Sequence, residues 1–185
     1  MIYVNHSGGA EGADTVWEAD GQRWGVKTVA YSFDGHKCTS PNRHNLTPRD
    51  LEEGWEAAKI ANRALGRPLE RIRSHYVRHL IARNWFQTKN AESVLAVGRL
   101  VDHYVDGGTG WAVQMAVDNK KPVYVFDQDR RHWFLYDFDV GGFCPGPVPS
   151  LTENFAGIGT RALTHPGKLA IHNVYERHFN EPRSV

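Results

Sequence analysis

The run SGGAEGAD (residues 7–14) follows a short apolar stretch at residues 2–4 and leads into a helical pattern at residues 11–24. A glycine turn between a strand and a helix lets the backbone approach a bound molecule, and the free N–H groups at the helix start attract an anion. Two further turns share this design, GGTG (residues 107–110) and GIGTR (residues 157–161). Such turns gather at the carboxyl ends of the strands in an open α/β sheet, which is where ligands bind.

Apolar, β-branched runs alternate with helical patterns along the chain, which predicts an α/β fold with a Rossmann-like parallel sheet flanked by helices. Strands are predicted at residues 2–4, 26–33, 93–97, 122–126 and 154–158, with an extra edge strand at 132–138. Helices are predicted at residues 11–24, 48–65, 108–117 and 167–179, with another beginning at Pro68. Residues 34–48 are predicted to form a loop and residues 141–149 a rigid connector. The length of 185 residues predicts a single domain, residues 1–185.

The composition excludes several classes of protein. Twenty-two Lys and Arg residues against 21 Asp and Glu residues leave a formal charge of +1, so no overall field attracts nucleic acid or a membrane. No apolar run approaches about 18 residues, and the N-terminus lacks the pattern of a signal peptide. Two cysteines fit a reducing compartment. We therefore expect a cytoplasmic protein that does not bind membranes.

The glycine turns exclude two common nucleotide motifs. None is followed by the Gly-Lys-Ser/Thr of a P-loop, and none has the full G-x-G-x-x-G spacing of a dinucleotide site. One such turn alone is better explained as the end of a strand or the cap of a helix. Three turns, with hydroxyl groups at Ser7, Thr109 and Thr160, favour a phosphate-bearing or nucleotide-shaped ligand.

The runs SGGAEGAD (residues 7–14), DGGTGWAVQMA (residues 106–116) and FAGIGTR (residues 155–161) together resemble the SLOG superfamily. That superfamily groups the DNA-processing protein DprA, the LOG phosphoribohydrolases and the YpsA-like proteins on a Rossmann-like fold. In its usual order the AGIGSR-like strand and turn come first, whereas FAGIGTR lies near the C-terminus here. The resemblance therefore implies a circular permutation, similar to that of DprA-like proteins carried by phages. It predicts that the strand at residues 155–158 pairs beside the strand at residues 2–4.

The resemblance implies a pocket for a nucleoside monophosphate or for an ADP-ribose-like or cyclic-nucleotide-like signal, in a homo-oligomer. We expect no cofactor and no metal. The residues predicted to bind the ligand from the three turns are Ser7, Gly8, Gly9, Gly12, Gly107, Gly108, Thr109, Gly110, Gly157, Gly159, Thr160 and Arg161. Arg83 matches an upstream arginine of the family and is predicted to neutralise phosphate. Asn84 and Gln87 lie one helical step apart beside it and suit a base edge or a hydroxyl group.

The sequence leaves open whether the ligand is hydrolysed or only bound and sequestered. Family members that hydrolyse a base–ribose bond carry a glutamate after the PGGxGT turn, and this position is Gln114 here. Glutamine cannot serve as a general base or stabilise an oxocarbenium ion by charge. If the protein is an N-glycosidic hydrolase, Asp14 is the candidate catalytic carboxylate; alternatively Asp14 caps the first helix.

A second hypothesis is a DprA-like protein that binds single-stranded nucleic acid. Residues 63–89 contain seven Lys or Arg residues against one acid, Glu70, and this stretch is either a nucleic-acid footprint or a solvated helix face. Trp111 follows the second turn and either stacks on a base or packs in the core. His36 and Cys38 suggest zinc, but no further ligand motif accompanies them.

Overall fold

The computed structural model describes residues 1–180 and has an α/β fold. The strands are β1 (Val4–Ser7), β2 (Lys27–Ser32), β3 (Arg43–Asn45), β4 (Ser93–Gly98), β5 (Leu100–Val101), β6 (Tyr104–Val105), β7 (Val123–Asp127), β8 (His132–Asp137), β9 (Gly142–Pro145) and β10 (Asn154–Gly159). The helices are α1 (Ala13–Arg23), α2 (Pro48–Leu65), α3 (His75–Lys89), α4 (Thr109–Asp118) and α5 (His165–Asn180), with a 3₁₀ turn at Leu69–Arg71.

Eight strands form one sheet in the order β3-β2-β1-β10-β4-β7-β8-β9, and β5 and β6 form a separate hairpin. The strands from β3 to β7 in this order are parallel, whereas β8 and β9 are antiparallel additions at one side. Strand β10 lies between β1 and β4, with Val4 opposite Asn154 and Asn5 opposite Phe155. The predicted Rossmann-like α/β class and the predicted pairing of the C-terminal strand with the N-terminal strand are both confirmed.

The structure differs from the sequence prediction at both sides of the sheet. Strand β8 pairs with β7 and with β9, so the edge strand is β9, which lies within the predicted connector. Strand β3 lies within the predicted loop and pairs with β2. Both β3 and β9 have at most four residues, and β9 is flanked by glycine and proline, so neither has the alternating pattern that identifies a longer strand.

Strand β1 begins two residues later than predicted and extends over three buried polar residues, Asn5, His6 and Ser7. Neighbouring strands meet part of their hydrogen-bonding capacity, although Asn5 Nδ2 has no partner among residues 1–180. Asn5 Oδ1 accepts a hydrogen bond of 2.9 Å from the Gly157 N–H. The His6 ring bonds to Tyr31 at 3.0 Å and to Asn154 at 3.1 Å. These contacts connect β1 to β10 and β2, and burial is the main reason that the pKa of His6 is lowered.

The helices cover both faces of the sheet. Helices α1 and α5 pack on one face, α3 and α4 pack on the other, and α2 lies outside α3 and α4. In β4, Leu95 and Val97 face α1 and α5 while Val94 and Ala96 face α4, so the run SVLAV is buried on both sides, as in parallel sheets generally. Across residues 1–180, no helix combines the length and the apolar character needed to span a bilayer.

Gly157 provides a test of this packing. A Cβ atom at Gly157 would lie 2.6 Å from Trp17 Cδ2, and the Trp17 side chain is fully buried. We expect Gly157→Ala to lower the free energy of unfolding by about 1–3 kcal/mol, because the indole must move in a close-packed core. Urea denaturation followed by circular dichroism measures this.

The matched control is Gly108→Ala. Gly108 has a φ of −64°, and no atom lies within 4 Å of the position of a Cβ there. The free energy of unfolding of this variant should differ from that of the wild type by less than about 0.5 kcal/mol, as is usual for substitutions at positions without close packing. Equal losses in the two variants would contradict the close packing of Trp17 against β10.

Candidate ligand-binding site

A cleft of about 700 Å³ opens beside α3 and the start of α4, at the carboxyl ends of the parallel strands. This is the edge at which ligands bind in open α/β sheets. Two of the three predicted glycine turns and the predicted residues of α3 meet there. The predicted site residues that line the cleft are Asp14, Arg83, Asn84, Gln87, Gly107, Gly108, Thr109, Gly159, Thr160 and Arg161.

The remaining predicted residues lie behind the cleft wall, where they serve close packing. They are Ser7, Gly8, Gly9, Gly12, Gly110 and Gly157. The first glycine turn is covered from outside by residues 36–40. The Thr39 N–H donates to the Gly9 carbonyl at 3.0 Å, and a Cβ at Gly9 would lie 2.5 Å from Cys38 Sγ. This cover explains why the first turn supplies only Ala10 and Asp14 to the lining.

The other hidden residues have similar structural roles. The Ser7 hydroxyl accepts a hydrogen bond from the Gly9 N–H at 3.1 Å and is fully buried, so it stabilises its own turn. A Cβ at Gly12 would lie 2.5 Å from the Thr160 carbonyl oxygen, and the φ of Gly12 is +105°. A Cβ at Gly110 would collide with the Val105 carbonyl oxygen. These glycines let the turns approach neighbouring backbone.

Three polar side chains of the cleft lining meet at Gly8, behind the cleft wall. Arg83 Nη1 donates to the Gly8 carbonyl oxygen, and also to that of Tyr31 at 3.4 Å. A Cβ at Gly8 would lie 2.8 Å from both Arg83 Nη1 and Asp14 Oδ2, and closer still to Gln87 Nε2. Any larger residue at position 8 would therefore separate this cation, this carboxylate and this carboxamide from the first turn.

Arg83 is a buried cation in the cleft wall. It is 7% exposed, and its Nε has no hydrogen-bond partner among residues 1–180. Burial lowers the pKa of Arg83, and the nearby Asp14 carboxylate acts in the opposite direction. A buried charge is stabilised by further hydrogen bonds or by an opposite charge, so this guanidinium is suited to an anionic ligand.

Asp14 connects the first and third glycine turns. Its Oδ1 accepts from the Gly159 N–H at 3.2 Å, and its Oδ2 accepts from the Ala10 N–H at 3.4 Å. Burial raises the pKa of Asp14 to about 6, against the opposing effects of Arg83 and the backbone N–H groups. Helix α1 has no side-chain cap. Asp14 therefore does not cap this helix, which was one of the two roles that the sequence allowed for it.

Asn84 and Gln87 turn their carboxamides to the cleft. The two residues are 8% and 2% exposed and line the cleft, and no atom of either carboxamide is among the buried nitrogen and oxygen atoms that lack a partner in residues 1–180. The carboxamides are therefore accessible from the cleft, and a carboxamide offers both a donor and an acceptor. Two adjacent carboxamides that face a cleft are suited to a polar ligand.

The second glycine turn is held by Arg67, a contact that the sequence did not predict. Arg67 Nη1 donates to the Gly107 carbonyl at 2.7 Å and Nη2 to the Val105 carbonyl at 3.1 Å. Its guanidinium carbon lies 5.2 Å from the centre of the Trp111 ring. No atom lies within 4 Å of a Cβ position at Gly107 or Gly108, so the turn is open to the cleft.

One wall of the cleft is apolar, and no local sequence pattern distinguished its residues, apart from Trp111, from core residues. They are Pro68, Leu69, Ile72, Val77, Leu80, Ile81, Trp111 and Ala112. Trp111 is 4% exposed and also packs with Met115, so it belongs to both the core and the wall. Their recurrence at helical spacing is the same whether the neighbour is a helix or a ligand.

Gln114 does not line the cleft. Its Nε2 donates to Asp118 Oδ1 at 2.8 Å, one helical turn along α4. The carboxylates in the lining are Asp14 and Asp106, and Asp106 Oδ1 accepts from the Gly107 N–H at 2.8 Å. Both are engaged in holding glycine turns.

The basic stretch at residues 63–89 is divided among several local contacts. Lys89 pairs with Glu53 at 2.6 Å, Arg71 lies 3.8 Å from Glu70, and Arg78 lies over the Trp55 ring at 4.5 Å. Arg67 and Arg83 belong to the cleft. Five of the seven basic side chains of the stretch therefore contact an acid, an aromatic ring or a backbone carbonyl of the chain. Among residues 1–180, no three His, Cys, Asp or Glu side chains are grouped as metal ligands.

Comparisons of the chain with protein-family models, with curated proteins and with solved structures return no match. The SLOG resemblance therefore stays an expectation that depends on the three glycine runs.

The raised pKa of Asp14 predicts a pH effect on stability. Native Asp14 binds its proton more tightly than in the unfolded chain, so its contribution to stability falls as pH rises from about 4 to about 6. The difference in unfolding free energy between wild type and Asp14→Asn should shift against wild type over this range, by about 3 kcal/mol at most. Urea titrations at pH 4 and pH 7 measure it.

The matched control is Asp34→Asn, which replaces an exposed aspartate in the loop after β2. Its difference from wild type should not follow the course expected for Asp14→Asn. A difference for Asp14→Asn that is constant between these two pH values would show that the carboxyl group does not titrate as a buried acid.

Proposed function

We propose that the protein binds a nucleotide or nucleotide-derived ligand in this cleft, with a nucleoside monophosphate as the first candidate. One observation carries the proposal. Two glycine turns, a buried arginine whose Nε has no partner among residues 1–180, and the carboxamides of Asn84 and Gln87 line a single cleft at the carboxyl edge of the sheet. Few other ligand classes require anion-binding turns and buried neutral hydrogen-bonding groups in one site.

The phosphate is assigned to the glycine turns. Helix α4 begins at Thr109 without a side-chain cap, and the turn before it is open. The free N–H groups and the dipole of a helix N-terminus favour an anion. Thr160 and the exposed Arg161 lie in the same lining, and Arg83 adds a second positive charge. These groups together supply the donors that a phosphate monoester requires.

The rest of the ligand is assigned to α3. Asn84 and Gln87 each offer a donor and an acceptor, which suits a sugar hydroxyl or a base edge. Asp14 lies beside them, but the backbone N–H groups of Ala10 and Gly159 already occupy part of its hydrogen-bonding capacity. Asp14 thus positions the first and third turns and adds negative charge opposite Arg83.

Binding is better supported than hydrolysis. Gln114 stands at the position of the family's glutamate, and it points to Asp118 instead of lining the cleft. Asp14 is the buried carboxylate in the lining and holds two turns together. We therefore propose that the protein holds, and in that way sequesters, its ligand. Turnover at an N-glycosidic bond would have to use Asp14 as the acid or base.

We also propose that the chain is a circularly permuted member of the SLOG superfamily. The arrangement of the C-terminal strand supports this. Strand β10 lies between β1 and β4, and the Ala13 N–H at the start of α1 donates to the Thr160 carbonyl at 3.0 Å. The first and third turns are therefore adjacent in space although they lie at opposite ends of the chain, as a permutation requires.

Thermal denaturation tests the proposal. Purified protein is melted with nucleoside monophosphates, cyclic nucleotides, NAD, ADP-ribose or short single-stranded DNA. A ligand at 100 times its Kd stabilises the native state by about 2.7 kcal/mol. We expect a nucleoside monophosphate to raise the Tm, and Arg161→Met to weaken this ligand's binding at least about tenfold through the loss of a charged contact. Mass spectrometry of the bound ligand then shows whether it is released intact.

The matched control is Arg63→Met, at an exposed arginine near the end of α2 and outside the cleft. It should leave the nucleotide effect unchanged. The nucleic-acid hypothesis makes the opposite prediction: DNA alone would raise the Tm, its affinity would fall steeply with salt, and Arg63→Met would weaken it. That pattern would overturn the cleft as the functional site.

A further inference from the structure

Asp14 and Arg83 face each other across Gly8 without forming a close ion pair. Asp14 Oδ2 and Arg83 Nη1 both lie 2.8 Å from the position of a Cβ at Gly8, so the two atoms are at most twice that distance apart. None of the ion pairs found among residues 1–180 joins these two side chains. Arg83 Nη1 donates instead to the carbonyl oxygens of Gly8 and Tyr31. The guanidinium is therefore not committed to the carboxylate.

Both side chains are buried in the lining of the same cleft. Asp14 is 5% exposed and Arg83 is 7% exposed. In the protein alone, one buried positive charge therefore faces one buried negative charge. A ligand anion that pairs with Arg83 brings a second negative charge close to Asp14. Two negative charges held close together with little water between them disfavour the ionised form of the carboxyl group.

The side chains around this pair do not remove the conflict. Arg83 lowers the pKa of Asp14, but burial outweighs this effect and raises that pKa to about 6. His36 resists protonation, because burial and the charges of three arginines lower its pKa to about 4. Asp14 is therefore close to protonation before any ligand binds. The other titratable or charged side chains near the pair, from residues 36–40, α3, the third turn and α1, are Cys38, Tyr76, Arg161 and Glu18.

We infer, on the basis of the proposed function, that Asp14 takes up a proton from solvent when the anionic ligand binds, so that the complex contains a neutral carboxyl group. The proton removes the repulsion between the carboxylate and the ligand, and it leaves Arg83 to pair with the ligand alone. It also changes what Asp14 offers, because a protonated carboxyl group donates a hydrogen bond whereas a carboxylate only accepts. Asp14 thus matches the charge of the site to an anion.

Isothermal titration calorimetry of the wild-type protein measures this proton. AMP is titrated first, and GMP, CMP or UMP replaces it if it does not bind. At pH 7 the binding enthalpy is compared in HEPES and Tris buffers, because the buffer that supplies the proton adds its own ionisation enthalpy. We expect uptake of at least about half a proton per nucleotide. From pH 7 to pH 9 the Kd should rise at least about fivefold, although a phosphate monoester, with a second pKa of about 6, stays largely dianionic over this range.

Asp14→Asn locates the proton. The Asn side chain keeps an oxygen that can accept from the Gly159 N–H, but it does not titrate. Proton uptake should disappear, and the Kd at pH 9 should be no higher than that of the wild type, whereas structural damage would weaken binding at both pH values. The matched control, Asp34→Asn at an exposed aspartate, and Cys38→Ser, which removes the thiol near Arg83, should both take up the proton as the wild type does.

The outcomes separate the two proposals. If a nucleotide binds without proton uptake, or if Asp14→Asn takes up the proton as well, this inference is wrong while the proposed nucleotide site stands. If none of the four nucleotides binds, the proposed function itself is wrong. The carboxyl ¹³C resonance of Asp14 in the wild-type protein, which shifts on protonation when nucleotide is added at pH 7, gives the same decision without a variant.

Discussion

The buried guanidinium of Arg83 fixes the geometry of the cleft. Its Nη1 donates to the backbone oxygens of Gly8 and Tyr31, so a helix is attached to the carboxyl ends of β1 and β2 by a charged group. The contact is possible because Gly8 has no side chain. Since α3 is held in this way, its next residues, Asn84 and Gln87, face the cleft with their carboxamides. The rest of the site is arranged around this attachment.

Asp14 completes the arrangement at an energetic cost. Its carboxylate is almost fully buried, and the desolvation outweighs the favourable effects of Arg83 and of the backbone N–H groups, which is why its pKa is raised. In return the first and third glycine turns are held together by one side chain. A cleft that keeps a cation and a carboxylate buried is less stable than an apolar one would be. Such preorganised polarity is expected at a binding site.

The sequence indicated the class of fold, the three turns and the polar residues of α3, because these depend on local patterns. It did not indicate what each glycine approaches. Glycine at a turn is compatible with contact to a ligand or to protein backbone, and Gly12 and Gly157 proved to pack against Thr160 and Trp17. The contact of Arg67 with Gly107 joins residues 40 positions apart, and nothing local predicts it. The apolar wall of the cleft could not be predicted either, because its residues recur at the same spacing as those of any buried helix face.

The most direct test of a nucleotide cleft is an amide NMR titration of ¹⁵N-labelled protein with AMP. We expect the largest chemical-shift changes at the backbone amides of Gly108, Thr109 and Thr160 and at the side-chain amides of Asn84 and Gln87. Changes confined to residues outside this lining, or no change at saturating nucleotide, would contradict a nucleotide cleft.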